Sequence, residues 1–189
     1  MFVPCKESIL EMTPTEFEKH SLCILSEQVL NIEDCKFEHD KIIEVDDGNY
    51  QIDGYIEFNL MGIKYKTLVE CKHYKSSISR EKVAVLYDKI RACGANKGVL
   101  ISSSNFQSGA IQYAQKHSIA LIQLIDSNSI YKTRSAFDAQ NDLFDVSHKD
   151  KNSYIGVMQI GDGQKVYCSY LSDTELGIKS FLIDTNNSN

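Results

Sequence analysis

The sequence predicts an α/β fold, in which a mixed β-sheet is flanked by helices and followed by a small C-terminal extension of a helix and a β-hairpin. Three observations predict this fold. Residues 36–72 hold three strand-like segments in succession, which favours an antiparallel meander. Helical and strand patterns then alternate from residue 79 to 126, which is typical of parallel strands joined by crossover helices. An amphipathic helical segment precedes them all.

The composition is that of an ordinary globular domain, with 189 residues, 42% hydrophobic and 24% charged. No apolar stretch approaches the roughly 18 residues that a membrane helix needs, and the first residues lack the pattern of a signal peptide. We therefore expect a cytoplasmic protein with no membrane partner. The six cysteines form no CxxC pair, so we expect them to be reduced.

The first helix is predicted over residues 13–30. Thr13 is a candidate N-cap, and Glu16 completes a capping box with it. Glu18 falls on the same stripe as apolar Leu22 and Leu25. A carboxylate in that place is paired, hydrated or bound to a metal, or it caps the stripe at its solvent end.

Three strands are predicted next, over residues 36–45, 50–58 and 63–72, with a hairpin turn at 59–62. Alternation in the second strand puts two sets of side chains on opposite faces: Tyr50, Ile52, Gly54, Ile56 and Phe58 against Gln51, Asp53, Tyr55 and Glu57. Antiparallel pairing with the third strand can bring Asp53 and Glu70 within reach of one ion.

The remaining elements follow from apolar spacing and cap residues. A helix runs from an N-cap at Ser79 to a C-cap at Gly94, and a second helix covers 106–117. Short buried strands are predicted at 98–104 and 119–126. Beyond residue 126 we expect a helix near 128–139 and a hairpin that turns around residues 161–163.

The stretch LVECKHYK, residues 68–75, carries the main chemical hypothesis. Leu68, Glu70 and Lys72 share one strand face. The charges are either a simple pair at a sheet edge or half of a metal-dependent nuclease site. Two carboxylates suffice for Mg²⁺, which prefers oxygen ligands and keeps several waters. A neighbouring lysine can orient or help deprotonate the attacking water, or stabilise developing charge.

The charge distribution is more informative than the net charge of −6. Residues 62–100 contain nine Lys or Arg and three Asp or Glu, which leaves an excess of twelve negative charges on the rest of the chain. This basic stretch is either a solvated helix face or a surface for nucleic acid. Lys75, Arg80 and Lys82 follow the Glu-x-Lys strand and lie near a helix start, where phosphates bind well.

Five pieces of the chain, in order, resemble the Mrr-like restriction endonuclease domains of the PD-(D/E)xK nuclease superfamily: EFE (16–18), QID (51–53), VECK (69–72), GANKGVLISSSNF (94–106) and GAIQYAQKHSIALIQL (109–124). The resemblance covers about 13–126 and implies a restriction-endonuclease-like fold. It implies that Asp53 and Glu70 hold the metal and that Lys72 is the catalytic lysine. Glu18 matches the acidic residue of the first helix in that family, and Gln51 matches a glutamine of one branch, with no role assigned.

These observations predict a nuclease core over residues 1–126 and an extension over 127–189 for dimerisation or partner docking. The expected activity is that of a metal-dependent DNA endonuclease in restriction or anti-phage defence, with Mg²⁺ as cofactor and Mn²⁺ as a substitute. The alternatives are a structure-selective nuclease that resembles a Holliday-junction resolvase and a catalytically silent subunit that binds DNA or a partner. We also expect a homodimer and a protein partner that targets or activates it. Whether the substrate is DNA or RNA, and which feature of it is recognised, stays open.

The sequence differs from the family pattern in two respects, and one nearby histidine is not assigned to the site. Gly48 is followed by Asn49 and Tyr50, where many Mrr-like domains carry glycines before the metal-binding Asp. The residues before Thr13 leave no room for a separate DNA-reading domain, which puts sequence specificity in doubt. His73 follows the Glu-x-Lys pattern and either contacts phosphate or is simply exposed, and we expect an exposed side chain.

Overall fold

The computed structural model describes residues 8–28, 35–126, 154–161 and 166–170. The helix predicted near 128–139 and the turn predicted at 161–163, apart from Gly161 itself, lie outside the described residues. In residues 154–161 and 166–170 the backbone is described without the side chains.

The first helix, α1, spans Pro14–Gln28 and follows a short 3₁₀ turn at Ile9–Glu11 that the sequence did not predict. The predicted capping box is confirmed: the Thr13 N–H donates to Glu16 Oε2 at 2.7 Å, and the Glu16 N–H donates to Thr13 Oγ1 at 3.3 Å. These bonds satisfy backbone donors that a helix start otherwise leaves unpaired.

The meander consists of β1 (Lys36–Val45), β2 (Gly48–Leu60) and β3 (Ile63–Lys72), each antiparallel to the next. Met61 and Gly62 form the turn between β2 and β3, with φ of 52° and 79°. Two successive positive φ values match a type I′ hairpin turn, whose twist suits antiparallel strands. The predicted hairpin is therefore confirmed.

The parallel part of the sheet follows the predicted alternation. Helix α2 (Arg80–Ala92) connects β3 to β4 (Lys97–Ser102), and α3 (Ser108–Lys116) connects β4 to β5 (Ile119–Asp126), with β3, β4 and β5 parallel. Gly94 takes φ of 60° just after α2, as expected of a helix C-terminus. Ser79 is the N-cap of α2, but its side chain makes no capping bond.

The C-terminal hairpin continues the same sheet. Strand β6 (Tyr154–Gly161) pairs antiparallel with β5, and β7 (Val166–Tyr170) pairs antiparallel with β6. The described strands therefore form one seven-stranded mixed sheet in the order β1 to β7. The mixed α/β architecture predicted from the sequence is confirmed.

Helices cover both faces of the sheet and create two apolar cores. The first core lies under α1 and includes Phe17, Leu22, Leu25, Ile56, Phe58, Val69, Cys71, Val99, Ile101 and Ile122. The second lies under α2 and α3 and includes Ile52, Tyr55, Leu68, Val83, Leu86, Ile90, Leu100, Ala110, Ala114 and Leu121. This burial on both faces explains why β4 and β5 read as continuous apolar runs.

Strand β2 changes faces part-way along, which contradicts the regular alternation predicted for it. Ile52 packs in the α2/α3 core, whereas Ile56 and Phe58 pack in the α1 core. The neighbouring strand β1 also changes faces at this level: Phe37 packs against the α1 core and Ile43 against the α2/α3 core. Between them, Asp40 has a left-handed φ of 54°. A left-handed residue re-aims the side chains around it, so the alternation restarts. Asp53 lies at this crossover.

Gly54, next to Asp53, marks the closest approach of α1 to the sheet. A Cβ at this position would lie 2.3 Å from Leu22 Cδ2 and 3.1 Å from Val69 Cβ. The absence of a side chain therefore lets α1 pack directly on β2.

We predict that Gly54→Ala destabilises the fold by about 1–3 kcal/mol, because the new methyl group overpacks a buried contact. Urea-induced unfolding measures the change. Gly109→Ala is the matched control, since its Cβ would meet nothing closer than Arg80 Cβ at 3.9 Å. An unchanged urea midpoint for Gly54→Ala would show that Leu22 moves aside freely.

Candidate active site

The pairing of β2 with β3 places the two predicted carboxylates next to each other. Gly54 pairs with Val69, so Asp53 and Glu70 occupy the next positions along the two strands. Asp53 Oδ2 accepts a hydrogen bond of 2.8 Å from the Cys71 backbone N–H, on the strand that carries Glu70. That bond orients the half-buried Asp53 carboxylate toward the end of β3.

Glu70 is a buried carboxylate held by two ammonium groups. Lys72 Nζ lies 2.5 Å from Glu70 Oε1, and Lys89 Nζ lies 2.9 Å from Glu70 Oε2. The Glu70 side chain is only 8% exposed. Burying an ionised carboxylate costs several kcal/mol unless it is paired, and here each oxygen has its own cation.

Lys89 comes from the last turn of α2 and was not singled out from the sequence. Its Nζ also donates to the backbone carbonyl of Gln51 at 3.0 Å. Lys89 therefore joins α2 to both β2 and β3. Its sequence signal was weak, because it is one of four basic residues on α2, with Arg80, Lys82 and Arg91.

The pKa values of the site residues move in opposite directions. Burial and the Glu70 charge raise the pKa of the Asp53 carboxyl. The hydrogen bond from the Cys71 N–H and the charge of Lys72 act to lower this pKa but do not outweigh them. Burial also acts to raise the pKa of Glu70, but Lys72 and Lys89 outweigh it, so this pKa is lowered. Burial acts to lower the pKa of the Lys72 ammonium, but Glu70 and Asp53 raise it overall. The interactions around Glu70 and Lys72 therefore favour their charged forms.

Glu18 lies on the α1 side of this cluster and has a partner of its own. Glu18 Oε2 is 3.1 Å from His39 Nε2, and both side chains are about one-quarter exposed, at 24% and 25%. The charge of Glu18 also contributes to raising the pKa of Asp53. Of the states considered from the sequence, the structure shows the paired one.

Gln51 approaches the site through its backbone and points its side chain elsewhere. Its carbonyl accepts the bond from Lys89, whereas its amide Nε2 donates to Asp40 Oδ1 at 2.6 Å. Asp40 is the left-handed residue opposite the face change in β2. The side chain of Gln51 therefore supports the local geometry of β1 beside Asp53.

His73 is not the exposed side chain that was predicted. Its ring stacks on Phe17 of α1, with centroids 5.0 Å apart, and its Nδ1 lies 3.0 Å from Ser103 Oγ. The apolar contact and the hydrogen bond hold the ring half-buried just beyond Lys72.

The three basic residues predicted to contact nucleic acid lie at the carboxyl end of β3. Lys75 is exposed on the loop after β3, and Arg80 and Lys82 lie on the first turn of α2. Backbone bonds anchor this loop: the Ile78 N–H donates to Asn105 at 2.8 Å, and the Gln107 N–H donates to Ile78 at 3.0 Å. The Arg80 guanidinium also lies 5.0 Å from the centre of the Tyr113 ring, a cation–π distance.

The donor set of Asp53 and Glu70 fits a hard divalent cation. Both are carboxylates, and Mg²⁺ accepts two carboxylates with water as its remaining ligands. Within the described ranges, no group of three or more His, Cys, Asp or Glu side chains gathers in a way that could hold a metal ion. That Asp53 and Glu70 hold a cation therefore stays a prediction.

None of the helices that the structure describes has both the length and the apolar character needed to cross a membrane.

Residues 9–133 match the family model Mrr_cat, described as restriction endonuclease. The chain is 27% identical over 124 residues to the type IV methyl-directed restriction enzyme EcoKMrr of Escherichia coli (strain K12). That alignment covers 66% of this chain and 38% of the relative, so the chain spans well under half of that enzyme.

Two solved structures are similar in part. One is the protein of unknown function AF1548, with 14% identity and a TM-score of 0.43, covering 52% of this chain and 53% of that one. The other is the DNA modification-dependent restriction endonuclease AspBHI, with 19% identity and a TM-score of 0.44, covering 60% of this chain and 30% of that one.

Proposed function

The chain belongs to the Mrr_cat restriction endonuclease family, and from this premise we propose that it is a metal-dependent DNA endonuclease that hydrolyses phosphodiester bonds in restriction or anti-phage defence. One observation carries the proposal: Asp53, Glu70 and Lys72 are close neighbours on two adjacent strands, with Lys72 Nζ 2.5 Å from Glu70 Oε1. The family match also agrees with the Mrr-like resemblance found in the sequence.

In this proposal Asp53 and Glu70 hold Mg²⁺, for which Mn²⁺ can substitute. The bound cation supplies positive charge to the phosphate that is attacked. Lys72 lies beside the carboxylates, where its ammonium can orient the attacking water or stabilise the charge that develops on the phosphate. Glu18, paired with His39, adds negative charge beside Asp53 and acts as a positioning residue.

DNA is proposed to lie along the carboxyl ends of the parallel strands. Lys75, Arg80 and Lys82 provide positive charge there, next to Lys72 at the end of β3. Arginine and lysine at such an edge bind phosphates without reading bases, so they position the duplex. We place this activity in the cytoplasm, where the chain would meet its DNA.

Two alternatives are kept. A structure-selective nuclease would use the same three residues on branched DNA, and a silent subunit would bind DNA or a partner without cutting. The relative from Escherichia coli is a methyl-directed restriction enzyme, which makes methylated DNA one substrate to test. Incubation with supercoiled, methylated, branched and single-stranded DNA and with RNA, in Mg²⁺ or Mn²⁺ against EDTA, separates the three.

The outcomes of that experiment are distinct. Cutting of linear or supercoiled duplex, with or without methylation, supports the endonuclease. Cutting confined to branched DNA supports the structure-selective enzyme. No cutting of any substrate, or cutting that persists in EDTA, would contradict a metal-dependent nuclease.

We predict that Asp53→Ala, Glu70→Ala and Lys72→Ala each reduce cleavage by roughly 100-fold or more, because each removes charge or orientation at the reacting phosphate. Cleavage rates are measured at saturating Mg²⁺, and circular dichroism confirms the fold. Glu44→Ala is the control, since Glu44 is an exposed carboxylate on β1. If Asp53→Ala cuts as fast as the parent, the metal assignment is wrong.

A second prediction concerns DNA contact. The triple variant Lys75→Gln, Arg80→Gln, Lys82→Gln should bind duplex DNA more weakly, and the slope of log K against log salt should fall by about 2–3, because each phosphate contact contributes about 0.9. Fluorescence anisotropy at several salt concentrations measures the slope. The control is a second triple variant that removes three positive charges from other parts of the surface: Lys36→Gln, Lys64→Gln, Arg91→Gln. Equal slopes for the two triple variants would place the DNA on another surface.

The extension over 127–189 is proposed to serve dimerisation or partner docking, separate from the nuclease core over 1–126. Pairing of β6 with β5 and β7 with β6 supports a hairpin, and among the strands that the structure describes β7 lies at one edge of the sheet. An edge strand has unpaired backbone groups that a second strand can bind.

We predict a homodimer, because cutting both strands of a duplex takes two active sites or two visits, and a two-fold axis supplies two sites. Light scattering on the intact protein at micromolar concentration should give twice the mass of the chain. A monomer under those conditions would contradict the predicted homodimer. The proposed role of the extension would then be docking of a separate protein.

A further inference from the structure

Four charged side chains at the site cancel one another. Asp53 and Glu70 are the two carboxylates, and Lys72 and Lys89 are the two ammonium groups. Glu18, beside Asp53, is a further carboxylate with its own partner, His39, at 3.1 Å. Only Lys72 belongs to the Glu-x-Lys pattern of β3. Lys89, from α2, is a second cation on the same carboxylate, and it changes the summed charge of these four side chains from −1 to zero.

Lys89 is held in this place by two bonds. Its Nζ lies 2.9 Å from Glu70 Oε2 and 3.0 Å from the Gln51 carbonyl, and its side chain is 18% exposed. Because Glu70 is 8% exposed, solvent screens these charges weakly. A cation that approaches Glu70 is therefore repelled by the Lys89 ammonium more strongly than it would be at an exposed site.

We propose that Lys89 makes binding of a divalent cation at Asp53 and Glu70 dependent on a bound DNA phosphate, an inference that rests on the proposed function. A divalent cation would add two positive charges beside the ammonium groups of Lys72 and Lys89, which is unfavourable in a half-buried site. Phosphates bring negative charge that offsets it. Binding of the cation and of DNA are then positively coupled, and the coupling is reciprocal.

A purely structural role for Lys89 predicts the opposite effect. If Lys89 served only to orient Glu70, its removal would loosen the carboxylate and weaken binding of the cation. If Lys89 acts through its charge, its removal strengthens binding in the absence of DNA. The sign of the change therefore separates the two roles.

The experiment measures Mn²⁺ binding by calorimetry and by loss of the free Mn²⁺ resonance signal. Lys89→Met keeps the aliphatic length and removes the charge, while Glu70 keeps Lys72 as a partner. Without DNA, we expect Lys89→Met to bind Mn²⁺ about tenfold more tightly than the parent. With a short duplex whose linkages are phosphorothioates, the parent should gain affinity and the difference should shrink.

Three further variants make the result decisive. Lys89→Gln should behave like Lys89→Met, which guards against poor folding of one variant. Lys89→Arg keeps the charge and should keep the low affinity of the parent. Arg91→Met removes one exposed charge two residues further along α2 and should leave Mn²⁺ binding within twofold of the parent.

The failure of this inference differs from the failure of the proposed function. If Asp53→Ala loses Mn²⁺ binding while both neutral Lys89 variants bind as weakly as the parent or more weakly, the metal site stands and the role of Lys89 is overturned. If Asp53→Ala binds Mn²⁺ like the parent, the metal site itself is wrong.

Discussion

A carboxylate buried in a protein must find cations or hydrogen-bond donors, because leaving water costs it several kcal/mol. Glu70 meets this requirement with Lys72 from its own strand and Lys89 from α2. The ion pair between Lys89 and Glu70 does more than neutralise a charge. Since Lys89 also binds the Gln51 carbonyl, it ties the last turn of α2 to β2 and β3. The site and the packing of α2 on the sheet therefore depend on the same contacts.

The other face of the sheet imposes a second constraint on the site. Helix α1 packs so closely on β2 that Leu22 occupies the place of a side chain at Gly54. One residue earlier, Asp53 lies where β2 changes faces, and its carboxylate is oriented by the Cys71 N–H. The position of Asp53 is therefore set by the backbone of two strands and by helix α1, which contributes Leu22 and Glu18 to its surroundings.

The charges of the chain have divided roles. Of the nine basic residues between 62 and 100, at least three are in ion pairs within the protein: Lys64 with Glu57, and Lys72 and Lys89 with Glu70. The excess of positive charge in this stretch is therefore not all available to DNA. Attraction of a phosphate backbone by a chain of net charge −6 depends on the local field at the edge near Lys75, and not on the total.

Local patterns were enough to predict most of the fold. Three features depend on residues close together in the chain, and each was predicted correctly: the capping box at Thr13, the turn before Ile63, and the alternation of helix and strand after residue 79. Asp53, Glu70 and Lys72 were selected from the Glu-x-Lys spacing, the expected pairing of the two hairpin strands and the resemblance to Mrr-like domains. Their catalytic roles remain a prediction.

Contacts between distant residues were decided by the tertiary structure. Strand β2 changes faces at the level of the left-handed Asp40 on β1, a change that the pattern of residues within β2 does not reveal. The stacking of His73 on Phe17 and the pairing of Lys89 with Glu70 join residues 56 and 19 positions apart. Such contacts depend on how a helix lies over the sheet, and periodicity specifies which face of a helix is buried without specifying which side chains it meets.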